Sequence, residues 1–354
     1  MSKQLTFKDE QQLLEHYEAD KDNNQVVSYQ GNVYDVKEYM PQHPGGEEYI
    51  SKLLGKPIDE EFDDAEHTKS AKNLMKDLPM IGKLLSDKDS TNSEGEKEEK
   101  EMNVGSLYGT KMSATLKEKL NIDYTKGIMY QVFKANLTFD EYVLYINEPK
   151  HLVNPVRDIR LFENGFLELC SQSPWWGVIL AWLPAIVYFF YNATQQPSWD
   201  SPVLCVALFI LGMLGWSFTE YFLHRFFFHG EDHWMHYVPH NTWVFTAHFT
   251  IHGIHHAFPQ DRLRLVFPPI PGYLIGYFMI IKPCSMVVPE NYFYISMAGW
   301  VIGYLLYDEI HYFLHHSSPK AGYWKDMKLY HMQHHYKFGQ IGFGVSSKLW
   351  DIVF

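Results

Sequence analysis

Cysteine is scarce: Cys170, Cys205 and Cys284 are the three thiols in 354 residues, and no two stand in a C-x-x-C pair. Neither a disulfide framework nor a thiolate zinc site organises such a chain. Residues 1–101 lack arginine altogether, and their 13 lysines face 24 aspartates and glutamates. Phosphate binding needs a basic footprint, so nucleic acid is excluded as a partner. The segment from Met1 to Asp20 is charged and has no apolar core of the signal-peptide kind, so the N-terminal region is expected in the cytosol. Residues 87–101 carry no apolar side chain. Such a run cannot bury enough surface to offset its ordering entropy, and it reads as a flexible linker.

The net charge of −12 sits almost wholly at the N-terminal end, because the residues beyond 101 hold 18 acidic against 17 basic side chains. An acidic module is therefore joined to something of another character. That second part contains four apolar runs, at about 175–191, 202–219, 266–282 and 291–307. Each approaches the lower limit of about 17 to 20 residues for a membrane-spanning helix. With a cytosolic N-terminal module, the first span leaves the cytosol and the second returns just before His224; the third and fourth repeat this just before His311. The loops left outside, 192–201 and 283–290, contain no Lys or Arg, whereas Arg157, Arg160, Arg225, Arg262 and Arg264 lie on the other side. That is the positive-inside tendency. Two short hairpins anchoring a cytosolic cap is the expected architecture, with short helices near the membrane surface before it.

Histidine fills that cap. Of 19 in the chain, ten fall into spaced sets: His224 and His229; His252, His255 and His256; His311 and His315; His331, His334 and His335. Residues three and four apart share a helix face, so the second and fourth sets are each expected to present a three-imidazole face and the third a two-imidazole face. A lone histidine is usually structural, but four sets at ligand spacing point to metal, and ten imidazoles suffice for two ions at about five ligands each. His248 and His316 break the spacing and stay outside the set. His233, His236 and His240 read as substrate-entry or surface residues. Asp261 and Asp308 are candidates either to orient ring N–H groups or to cap helices. Imidazole alone suits Zn, Fe, Cu or Ni, so the ligand list does not select the metal.

In the N-terminal module, residues 25–36 read as strand, turn and strand, with Gln30-Gly31-Asn32 as the turn. His43-Pro44-Gly45-Gly46 follows, and then His67. The pair can be axial haem ligands from opposite walls of a pocket, or a turn histidine and a surface histidine. A haem filled by imidazole on both sides passes electrons and does not bind oxygen. Such a donor has no use beside a redox-inert zinc pair. A di-iron monooxygenase or desaturase acting on a lipid is the reading that uses both.

Residues 5–85 resemble cytochrome b5 in the Val-Tyr-Asp-Val strand, the His43-Pro44-Gly45-Gly46 motif and the spacing to His67, which implies a b-type haem ligated by His43 and His67. From about residue 155 onward the chain resembles the fatty acid 2-hydroxylase family, within the wider fatty-acid-hydroxylase/sterol-desaturase group. The segments His224–His229, His248–His256, Asp308–His316 and His331–His335 carry that resemblance. It implies an endoplasmic-reticulum membrane enzyme that uses O2 to hydroxylate C2 of a long acyl chain, free or in ceramide. NADH-cytochrome b5 reductase would supply the electrons. The ten boxed histidines would hold two metal ions, iron in the active enzyme and zinc in some purified preparations, and Tyr307 and Asp308 would lie near the substrate channel. The expected fold is an α+β cytochrome b5-like domain (5–85), an acidic linker (86–105), membrane-proximal helices (106–174) and a mainly α-helical membrane domain (175–354) with about four spans and a cytosolic dimetal cap. Alternatives are a cytochrome b5-fused acyl desaturase, a sterol oxidase, or a non-catalytic electron carrier with a structural zinc site. Front-end desaturases carry glutamine where His331 stands here.

Overall fold

The computed structural model describes residues 5–65, 67, 69–85, 119–150, 159–337 and 339–354. The predicted linker, 86–105, lies outside them. The chain divides into two compact units, Met1–Ser113 and Ala114–Phe354.

The first unit holds a sheet of order β1-β4-β3-β2, made from β1 (Leu5–Phe7), β2 (Val26–Tyr29), β3 (Asn32–Asp35) and β4 (Met80–Leu84). β1 runs parallel to β4, while β4–β3 and β3–β2 are antiparallel. Gln30 and Gly31 take φ of 51° and 73°, the two left-handed residues of a tight hairpin that follows the strand twist. All four residues of β2 are buried. Each face of the sheet has its own core: Val27, Tyr29, Tyr34 and Phe62 pack on one side, and Phe7, Leu13, Val26 and Val33 on the other. Helices α1 (Glu10–Ala19), α2 (Glu47–Ser51), α3 (Asp59–Asp64) and α4 (Lys69–Asp77) complete the unit.

The second unit is helical. Its first described helices are α5 (Ile128–Ala135), α6 (Phe139–Ile146) and α7 (Gly165–Ser171). A reciprocal capping box between Thr138 and Glu141 starts α6. Among the described residues, three stretches are long and apolar enough to cross a membrane: α8 (Trp175–Ala193), Pro202–Phe228, which contains α9 (Pro202–Phe222), and Pro269–Val287. Their outward residues are apolar, with Val203 82% and Phe278 64% exposed, as lipid-facing positions should be.

The second apolar run was expected to end near 219, but the helix continues past Glu220. That buried carboxyl group accepts hydrogen bonds from Ser346 N and Oγ at 3.1 and 2.9 Å, which offsets the cost of placing a polar group inside the bundle. The fourth run lies within a 27-residue helix, Glu290–His316, which also carries the third histidine set. Fourteen of its residues are buried. It packs against α8 and α9 rather than lipid, and this is why it is the least apolar of the four. Glycine brings it close to α9: a Cβ at Gly212 would meet the Ser296 carbonyl, and one at Gly299 the Phe209 carbonyl. Trp182, Trp216, Trp300 and Tyr304 fill the core beside this crossing.

Candidate metal centre

His224 and His229 are five residues apart, a spacing that an α-helix splits between faces. From Leu223 to Phe228 the helix widens into a π turn, and the His229 N–H donates to His224 O at 3.0 Å. The two ring centroids thereby come to 5.0 Å. A second π turn, Phe249–Gly253, carries His252 and leads into the short helix Ile254–Ala257 that holds His255 and His256. His311 and His315 lie on Glu290–His316, and the last set on the helix Tyr323–Tyr336.

All ten imidazoles are buried and come together. They form two adjoining groups whose ligand atoms lie within 4.8 Å of one another: His255, His311, His315, His331 and His335 in one, His224, His229, His256 and His334 in the other. His252 Nε2 lies 3.4 Å from His229 Nε2 and adjoins the second group. The expected three-imidazole faces are therefore corrected. Adjacent residues point about 100° apart on a helix, so each His-His pair sends one ring to each group. The groups touch through His256 and His335, 4.3 Å between centroids.

The rings are built to be neutral donors. Burial, reinforced by neighbouring imidazoles, holds His252, His255, His256, His331, His334 and His335 well below the ordinary histidine range. His224 Nδ1–H donates to Phe343 O at 2.6 Å and His334 Nδ1–H to Ile341 O at 2.7 Å, which leaves each Nε2 lone pair for the group. Among the described residues, buried ring nitrogens of His255, His256, His311 and His334 have no hydrogen-bond partner. A converging set of buried, neutral, unpartnered nitrogens fits a pair of divalent ions.

One carboxylate escaped the sequence reading. Glu231 accepts the His229 Nδ1–H at 3.0 Å. Its signal was its position, two residues after a box. The carboxylates singled out from the sequence serve elsewhere: Asp261 binds Arg264 Nη1 at 2.7 Å and Leu263 N at 3.0 Å, and Asp308 accepts the Phe267 backbone N–H at 3.3 Å. Tyr307 stacks on His311 at 5.8 Å. His248 and His316 stay outside both groups, His236 and His240 are exposed, and His233 is half-buried.

In the first unit the His43 and His67 rings face each other with centroids 6.2 Å apart. Two metal–nitrogen bonds of about 2 Å plus two ring radii of about 1 Å give about 6 Å for imidazoles on opposite sides of one iron. His43 Nδ1–H donates to Gly46 O at 3.0 Å and His67 Nδ1–H to Phe62 O at 2.8 Å, so each Nε2 points inward. Gly46, at φ 112°, makes the turn that presents its carbonyl. The pair fits a haem.

Two adjoining imidazole groups at the ends of bilayer-length helices, with a haem-binding fold in the same chain, define a histidine-ligated membrane metalloprotein. Residues 9–85 match the Cytochrome b5-like Heme/Steroid binding domain family, and residues 209–354 match the Fatty acid hydroxylase family. The ceramide very long chain fatty acid hydroxylase of Saccharomyces cerevisiae is 34% identical over all of this chain and 94% of its own length. The fatty acid 2-hydroxylase of Mus musculus is 32% identical, covering 91% of this chain and 88% of its own. A solved structure of full-length scs7p, in which only the hydroxylase domain is visible, superposes with a TM-score of 0.61 at 36% identity. It covers 69% of this chain and 88% of that one. The chain belongs to the fatty acid 2-hydroxylase family.

Proposed function

We propose that this protein hydroxylates C2 of a long acyl chain, free or within ceramide, with O2 as cosubstrate. The observation that carries the reading is the pair of buried imidazole groups, in a chain whose relatives are named as 2-hydroxylases and ceramide hydroxylases along nearly their full length. His224, His229, His252, His256 and His334 would hold one ion, and His255, His311, His315, His331 and His335 the other. His43 and His67 would hold the haem. Bound iron supplies the two-electron activation of O2 that a C–H hydroxylation needs, and bound haem the route by which NADH-cytochrome b5 reductase delivers those electrons; zinc can take the iron sites in a purified sample.

The chain's own residues do the rest. The outward Nδ1–H bonds of His224, His229 and His334 would orient those three imidazoles before any ion binds, and burial would keep water from the reacting atoms. Tyr307, stacked on His311, and the adjacent Asp308 would position the acyl chain beside the metal group. The domain limits we assign are 5–85 for the haem module, 86–105 for the linker, 106–174 for membrane-proximal helices and 175–354 for the hydroxylase. We assign the protein to the endoplasmic-reticulum membrane, with the haem module and metal cap cytosolic. Lipid profiling of cells that lack this activity provides the test. Expression should raise 2-hydroxylated acyl chains, and His334→Ala should abolish the rise; no rise, or an equal rise with the variant, sinks the reading.

A further inference from the structure

The metal-facing histidines are not supported alike. Phe343 O and Ile341 O, which fix His224 and His334, are neutral carbonyls. Glu231 instead offers a carboxylate oxygen to His229 Nδ1, at 3.0 Å, and is itself buried within a built chain. Its Oε2 lies 3.4 Å from His248 Nε2, whose N–H also reaches Phe228 O at 2.6 Å. The far side of that ring, Nδ1, accepts the Tyr142 hydroxyl at 2.6 Å. Tyr142 is fully buried and stacks on Phe245 with centroids 4.9 Å apart. The turn that aims Glu231 is also specified. Gly230 leaves room for the Trp234 indole, which a Cβ would strike, and Trp234 Nε1 donates to Phe226 O at 3.1 Å.

We infer that Glu231 is a positioning residue for the ion of the His224/His229/His256/His334 group, acting through His229, with the His248 ring, itself fixed by Phe228 and Tyr142, packed against its second oxygen. The inference rests on the dimetal reading above. A carboxylate accepting the outer N–H of an imidazole fixes the ring's tautomer and strengthens its opposite nitrogen as a donor. The five-histidine group does not include His229, so Glu231 should affect one ion and not both.

The test uses full-length protein purified in detergent, loaded with zinc and titrated with a chelator while bound metal is counted. Wild type should release its ions in a reference pattern. Glu231→Gln should release one ion at about 10–100-fold lower chelator, with the other unmoved. Tyr142→Phe should shift the same ion by less, and Glu231→Asp should restore part of the loss. A merely structural role would loosen both ions together and lower the melting temperature with them. The inference is overturned by wild-type release from Glu231→Gln, or by equal loss of both ions. Should Glu231→Gln not fold, unchanged release from Tyr142→Phe overturns it instead. If His334→Ala leaves the wild-type metal count intact, the dimetal reading itself fails, an outcome distinct from the others.

Discussion

The haem pair and the imidazole groups are both made of histidine, but they are oriented over very different stretches of chain. His43 is held by a carbonyl three residues on, and His67 by one five residues back. In the helical unit the supports range from Glu231, two residues from His229, and Ile341, seven from His334, to Phe343, 119 residues from His224, and the rings themselves come from four separate helical segments. A local hydrogen bond closes a short loop at small entropic cost, so a few residues of motif can aim a ligand. The cluster requires its whole bundle to be folded before its rings point anywhere. The first kind of site should fail alone, and the second should fail with its fold.

The sharpest break in that comparison comes from removing one ligand on each side. His43→Ala should abolish the haem absorbance while leaving the metal count unchanged. His334→Ala should do the reverse, and each should lower 2-hydroxylated product by more than about 100-fold. Absorbance spectroscopy and elemental analysis on the same samples check this. Haem loss in His334→Ala would show that the two sites are not independent.

Glycine supplies a gentler version. Gly299→Val puts bulk against the Phe209 carbonyl at the helix crossing and should cost about 1–3 kcal/mol or more, lowering melting temperature and metal content together. Gly31→Ala, at φ 73° in the hairpin, should cost about 1 kcal/mol and change haem retention alone. Thermal melts in detergent, followed by haem and metal counts, separate the two.

The smallest effect is electrostatic. Burial lowers the Lys150 ammonium to about 8, although its Nζ donates to Tyr145 O and Glu148 O, both at 2.6 Å. The unfolded value is about 10.4, so between these pH values the unfolded chain binds more protons and stability rises with pH. Below about 8 the full cost of burying the charge remains. Lys150→Met should flatten that rise in melting temperature between pH 8 and pH 10; an unchanged slope would place its origin elsewhere.

Much of this architecture was readable before any coordinates. The hairpin at 26–35 follows from Gly31 between two β-branched runs, and the cytochrome b5-like domain from the His43-Pro44-Gly45-Gly46 motif and its spacing to His67. The ten histidines could be named because ligand spacing on helices is periodic. What could not be read has one cause in each case. The π turn that joins His224 to His229 is an irregularity no α-period predicts. The division of His255 from His256, and of His334 from His335, depends on what stands on each side of the helix. Glu231 sits two residues from a box, yet nothing in the sequence pairs its carboxylate with His229 rather than with water. The helix Glu290–His316 reads as less apolar than its neighbours because about half of its residues are buried inside the bundle.

By itself, then, the sequence showed which histidines stand at ligand spacing and which segments are apolar enough to lie in a bilayer, since composition and period are properties of the chain alone. Only the tertiary structure decided how ten similar imidazoles divide into two groups and which of them a carboxylate supports. The division depends on rings brought together from four separate helical segments, with supports as distant as Phe343 for His224, whereas the carboxylate's choice depends on the local turn at Gly230.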